Sequence, residues 1–181
     1  MPAVFDADSP QTPQDTGSEW GAGRHILEST MPKPSAGILL YRGSTSGLEV
    51  FLIHPGGPYF AKKDTWSIPK GEYEPGEAPL AAARREFQEE TGSAVSGNFI
   101  PLGDIRQPSG KQVSAWAVEG DFDPATLVSN PCQIEWPPRS GRTMEIPEAD
   151  RGAWFPIEAA RGKIFKGQEA LLDRLVDALR S

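Results

Sequence analysis

The chain has 181 residues, 38% of them hydrophobic and 24% charged, which suits one globular domain with enough apolar material for a core. A net charge of −7 repels polyanions and argues against general nucleic-acid binding, and no run approaches the ~18 apolar residues of a membrane span. Cys132 is the single cysteine, which excludes an internal disulfide and a cysteine-based zinc site; with no basic, apolar leader in residues 1–20, the composition points to the cytoplasm.

Residues 1–30 are rich in Pro, Ser, Thr, Gly and Asp without apolar periodicity and read as a disordered or loosely attached arm, with the folded domain over residues 31–181. The abrupt change at Met31 suggests that Met31 is the true start. Gly37 to Tyr41 and Leu48 to His54 are apolar runs separated by the turn-rich Gly43 to Gly47, the pattern of a β-hairpin. After a loop with Gly56, Gly57 and Pro58, a short strand is expected from Thr65 to Ile68, ended by Pro69. Pro79 suits the first turn of a helix and Gly92 the position just past its end, so a helix is expected to run to about Thr91. Further strands are expected at Phe99 to Arg106, Val113 to Val118, Cys132 to Trp136 and Ala153 to Phe155. From Gln168 to Arg180, Leu171, Leu172, Leu175, Val176 and Leu179 recur at helical spacing. Several strands with a central and a terminal helix imply an α/β fold in which a mixed sheet packs between helices.

On the central helix, Glu86, Glu89 and Glu90 fall within an arc of about 100°, while Leu80 and Phe87 form an apolar stripe roughly 100 to 120° away. Three like charges at these spacings repel one another, and a hard divalent cation relieves that repulsion: oxygen ligands suit magnesium, with manganese as the alternative. Arg85 offers further compensation, with Glu77 as its natural partner. A solvated acidic face would carry the same three glutamates, so they do not decide the matter alone.

The wider pattern does. Gly71, five residues, Glu77, seven residues, then Arg85, Glu86, Phe87, Gln88, Glu89, Glu90, Thr91 and Gly92 is similar to the Nudix box at every charged and glycine position. Ser93 departs from it, standing where the family has an aliphatic residue, with Ala94 and Val95 available for that contact. The resemblance extends over most of residues 33–180. It implies an α/β/α sandwich and hydrolysis of a phosphoric anhydride bond in a nucleoside diphosphate linked to another moiety. It also implies Glu86, Glu89 and Glu90 as metal ligands, the Lys70 carbonyl as a further ligand, Arg85 orienting a catalytic carboxylate, Glu77 holding Arg85, and Glu89 or Glu86 taking the proton from water.

A further carboxylate from beyond the box is expected at Glu148, with Glu145 and Glu135 as rivals. The lead-in Trp66, Ser67, Ile68, Pro69, Lys70, Gly71 resembles that of Nudix enzymes acting on diadenosine polyphosphates, which favours a dinucleoside polyphosphate or nucleoside triphosphate. The tyrosine of that subgroup is missing, since Ser109, Gly110 and Lys111 occupy its region, and Pro108 instead matches a marker of ADP-ribose hydrolases. ADP-ribose or a nucleotide sugar is therefore the alternative substrate, and a nucleotide sensor without turnover the alternative class. Lys62 and Lys63, in the loop after Gly56 and Gly57, are candidate phosphate contacts, as are Lys70, Arg142 and Arg139. Trp66, Trp116 and Trp136 are candidates to stack on a base, although tryptophans in strands are more often core.

Overall fold

The computed structural model describes residues 32–181; the expected arm and the alternative start at Met31 lie outside the described residues. Strand β1 (Ser35–Ser44) turns through Thr45 and Ser46 into β2 (Gly47–Pro55), so the hairpin forms where two apolar runs flank a two-residue turn. The segment before Lys70 does not make the expected strand. Trp66 and Ser67 form only isolated bridges, to Ile164 and Ile53, and the ordered strand is the short β3 (Lys70–Glu72) immediately after Pro69. β4 (Ile100–Arg106), β5 (Gln112–Glu119), β6 (Pro131–Glu135), β7 (Thr143–Pro147) and β8 (Ala149–Pro156) follow. The last is several residues longer than its apolar pattern suggests, because it pairs along almost all of β2.

The strands form one mixed sheet in the order β4-β5-β1-β2-β8, with β3 also paired to β1, and a separate β6-β7 hairpin. Among the described residues only strands β1 and β5 pair in parallel; the other strand pairs are antiparallel. Helix α1 (Pro79–Thr91) covers one face, and α3 (Ala170–Arg180) the other, after the short α2 (Ile157–Arg161). This is the α/β/α sandwich expected from the sequence.

α1 begins with Pro79 behind an extended Ala78 and ends where Gly92 takes φ 82°, its N–H donating to the Gln88 carbonyl at 2.8 Å. The left-handed conformation there suits glycine, which has no Cβ to clash. Ala82, Ala83 and Phe87 pack onto Ile38, Leu40, Phe51 and Val118, and Val95 joins them in the apolar role that Ser93 lacks. On the opposite face Leu171, Leu172 and Leu175 pack against Leu39, Leu52, Val113 and Ile105. Each of these large side chains contributes roughly 1.5–3 kcal/mol by leaving water. Leu179, expected on the same stripe, is exposed in the last turn of α3. Among the described residues no helix is long and apolar enough to cross a membrane.

Candidate active site

One face of α1 presents Glu86 and Glu90, four residues apart and therefore in one row. Both are buried, at 6% and 8% exposure, unlike an ordinary solvated acidic face. Glu148, in the tight connection between β7 and β8, joins them: one carboxylate oxygen from each of Glu86, Glu90 and Glu148 lies within 4.8 Å of the others. Its backbone is fixed on both sides, with Glu148 N–H donating to Asn130 O and Gly56 N–H donating to Glu148 O, each at 3.0 Å. The rivals lie elsewhere: Glu145 accepts from Gln133 Nε2 on the exposed hairpin, and Glu135 accepts from the Gly141 N–H. Glu89 stands apart from the trio. Its half-exposed carboxylate accepts from Arg85 Nη1 at 3.2 Å.

Arg85 ties the site together. Its Nε and Nη2 fork onto both oxygens of Glu77 at 2.9 and 3.1 Å, Nη1 donates to Glu86 at 2.6 Å as well as to Glu89, and Nη2 also reaches the Glu72 carbonyl. A planar guanidinium can serve several oxygens in this way; a lysine cannot. The Arg85 hydrogen bond holds the Glu77 carboxyl below its ordinary range, whereas burial raises Glu86, opposed by Arg85. Burial also pushes Glu90 up, to about 8, and raises Glu148, with the neighbouring carboxylates adding to both shifts.

Gly71 faces this cluster. A Cβ there would lie 2.0 Å from Glu86 Oε2 and 2.1 Å from its Cδ, so the carboxylate occupies the space that any larger residue would fill. The Lys70 N–H donates to Glu90 Oε2 at 2.9 Å. Three carboxylates drawn together, two of them buried, make a hard, all-oxygen donor set of the kind that suits magnesium or manganese, and a divalent cation offsets the charge that burial otherwise penalises.

The cluster opens onto a cavity of about 740 Å³ lined by Glu90, Glu148 and Lys70 at one part and by Phe60, Phe165, Lys163 and Lys166 elsewhere. This volume accommodates a nucleotide-sized ligand. The Phe60 and Phe165 rings meet edge to face with centroids 5.9 Å apart.

Residues 31–175 match the model of the NUDIX domain family. The chain belongs to the Nudix family. A curated relative, the 8-oxo-(d)GTP phosphatase of Mycolicibacterium smegmatis, is 32% identical over 144 residues, covering 72% of this chain; the chain spans only 37% of that protein's length. Among solved structures, the Ap4A hydrolase of C. elegans in a binary complex superposes with a TM-score of 0.58 at 20% identity, over 81% of this chain and 98% of that one. The NUDIX domain of Shewanella oneidensis NrtR, complexed with ADP ribose, gives 0.59 at 12% identity, over 86% and 94%. At these identities the structures share the Nudix fold and nothing finer is carried across.

Within the Nudix domain, the box runs from β3 to the end of α1, which is why its first glycine and its glutamates meet. Several sequence candidates lie away from the cavity. Trp66 is 6% exposed, packs on Phe155 and His54 and donates its Nε1 to Asp64, so it belongs to the core and has no free face for a base. Lys62 and Lys63 are exposed, and Lys63 sits over the Tyr59 ring at 3.3 Å. Arg139 and Arg142 lie in the exposed turn of the β6-β7 hairpin. Trp116 and Trp136 are half-buried and line no part of the cavity. Lys70 does line it. Phe60, Phe165, Lys163 and Lys166 were not singled out by the sequence, because no spacing rule links the loop after β2 to the segment before α3.

Proposed function

We propose that this chain is a divalent-metal-dependent Nudix hydrolase that cleaves a phosphoric anhydride bond in a nucleotide-type substrate, a nucleoside triphosphate or dinucleoside polyphosphate before all others. The observation that carries the reading is the convergence of Glu86, Glu90 and Glu148 within 4.8 Å at a cavity that also holds cationic and aromatic side chains.

In this reading Glu86, Glu90 and Glu148 hold the metal, magnesium with manganese as a substitute. The Lys70 carbonyl is a suitable fourth ligand, because in an extended chain a residue's N–H and C=O leave by the same edge, and the Lys70 N–H already points at Glu90. The bound cation supplies phosphate charge neutralisation and a water of lowered pKa. Glu89, outside the trio and steadied by Arg85, would accept the proton of the attacking water, with Glu86 as the other candidate. Arg85 orients both carboxylates and Glu77 orients Arg85. Lys70, Lys163 and Lys166 attract the phosphates, and Phe60 with Phe165 offers an apolar seat for the base.

The relative acting on 8-oxo-(d)GTP supports a triphosphate, and the lead-in Trp66 to Gly71 supports a polyphosphate. A second reading, cleavage of ADP-ribose or a nucleotide sugar, is favoured by Pro108, which lines the cavity. Chromatographic product analysis with magnesium tests these against one another, using diadenosine polyphosphates, canonical and oxidised nucleoside triphosphates, ADP-ribose and nucleotide sugars. Metal-dependent cleavage of one class is expected; binding of these nucleotides with no turnover in either metal would identify a sensor instead.

A further inference from the structure

Gln168 is the residue whose burial the proposed chemistry leaves unexplained. It is fully buried at the end of the turn before α3 and lines no part of the cavity. An amide withdrawn from water is costly unless its polar atoms are satisfied, so its partners show what it is there to hold. Its Oε1 accepts from the Ile68 N–H at 3.0 Å, and its Nε2 donates to Ser67 Oγ at 2.9 Å. Ser67 Oγ in turn donates to the Ile68 carbonyl at 2.8 Å. Gln168 thus supplies by side chain the partner that a neighbouring strand would give, at the point where the expected strand Thr65 to Ile68 fails to form.

The residues it grips lead directly to the carboxylate cluster. Pro69 O accepts from the Ile38 N–H at 3.0 Å, Lys70 N–H donates to Glu90 at 2.9 Å, and Gly71 lies against Glu86. On the other side, Gln168 continues a segment that forms the cavity wall: Lys163, Ile164, Phe165, Lys166 and Gly167 all line it. That wall is stitched to the same strap, with Trp66 N–H donating to Lys163 O at 2.8 Å and Phe165 N–H donating to Trp66 O at 2.9 Å.

We infer that Gln168 is a positioning residue that sets the Ser67–Lys70 strap, and through it Lys70 and Glu90, in fixed relation to the wall that receives the substrate. It touches neither the reacting atoms nor the solvent. Its effect passes through the Ile68 and Lys70 amides to the Glu90 carboxylate. Outer-shell groups of this kind, when removed, typically weaken metal affinity or activity by 10–100-fold.

This inference rests on the proposed metal site, and the test separates the two. Manganese binding to the wild-type chain and to Gln168→Met, Gln168→Glu and Leu172→Ala is followed by electron paramagnetic resonance, with kcat and KM measured on the substrate the panel identifies. Gln168→Met keeps the size and removes both hydrogen bonds; Gln168→Glu keeps the acceptor for the Ile68 N–H and loses the donor to Ser67 Oγ; Leu172→Ala loosens the following helix α3 without removing a hydrogen bond of the strap. Gln168→Met is expected to weaken manganese binding by about tenfold and to lower kcat, Gln168→Glu to fall between Gln168→Met and wild type in both, and Leu172→Ala to lower the melting temperature with manganese affinity unchanged. Should Gln168→Met not fold, Ser67→Ala replaces it, with weakening of at least about threefold expected. Manganese affinity equal to wild type in Gln168→Met, or in Ser67→Ala where that stands in, overturns the inference while leaving the metal site intact. Absence of manganese binding in the wild type overturns the metal site itself and the inference with it.

Discussion

Gly71→Ala is a substitution whose effects on stability and on activity should part company. The added Cβ would lie 2.0 Å from Glu86 Oε2, whereas ordinary van der Waals contact begins at 3.4 Å, so the carboxylate must retreat by about 1.4 Å. Metal–oxygen distances tolerate about ±0.2 Å, so a displacement of that size removes Glu86 from any shared ligand set. It also strains the 2.6 Å bond from Arg85. The three nearest atoms are all the tip of a flexible side chain, and Gly71 does not hold a left-handed backbone, so the fold has a cheap way to respond. Stability should therefore change by no more than about 1–2 kcal/mol, at the lower part of the overpacking range, while kcat falls by at least about 100-fold. Thermal unfolding, manganese titration and steady-state kinetics on one preparation give the three numbers. A folded Gly71→Ala protein with manganese affinity and kcat near wild type would refute the reasoning that Glu86 must occupy that space.

Other expectations follow from the same geometry. Glu89→Gln should preserve the fold and cut kcat by at least roughly 100-fold while changing manganese affinity less than Glu86→Gln does, because Glu89 lies outside the trio; steady-state kinetics beside manganese titration checks it. Glu148→Gln should weaken manganese binding by at least about tenfold, and unchanged affinity in that titration would remove the β7–β8 connection from the site. Phe60→Ala should raise KM by roughly tenfold through lost stacking, whereas Trp66→Phe should leave KM within about twofold and destabilise by about 1 kcal/mol through the lost Asp64 bond, as read by kinetics and thermal unfolding. Burial raises the Glu90 carboxyl from 4.5 to about 8, so in metal-free protein its contribution to stability is present below about pH 4.5 and lost as pH rises through about 8. The proton must leave before a cation binds, so manganese affinity should fall about tenfold per pH unit below 8; pH-independent affinity in titrations between pH 6 and 8 would contradict this.

Local signals made much of the fold legible. Pro79 and Gly92 bracket α1 because each suits its terminal position by its own backbone chemistry, and the β1-β2 turn follows from two apolar runs around a short polar link. The Arg85–Glu77 pair was also within reach, since the loop and the helix that carry them are close in sequence. Helical geometry alone grouped Glu89 with Glu86 and Glu90. In the structure Arg85 bridges Glu86 and Glu89, while the carboxylate that closes up on Glu86 and Glu90 is Glu148, which arrives from a different element. That arrival depends on the β7–β8 connection packing over Gly56, where an added Cβ would meet the Pro147 carbonyl at 2.0 Å. Nothing local announces such a contact. The same holds for Lys163 and Phe165, brought to the cavity by pairing with Trp66, and for Trp66 itself, whose burial under Phe155 and His54 is a tertiary fact. Helix α2 is too short for its periodicity to stand out.

The central claim is that Glu86, Glu90 and Glu148 together hold a divalent cation beside the cavity that Glu90 and Glu148 line. Anomalous diffraction from crystals equilibrated with manganese tests it most directly. The account predicts a strong peak coordinated by those three carboxylates, weakened or lost in Glu86→Gln. Saturating manganese with no peak among them, or with its peak at other side chains, would contradict it.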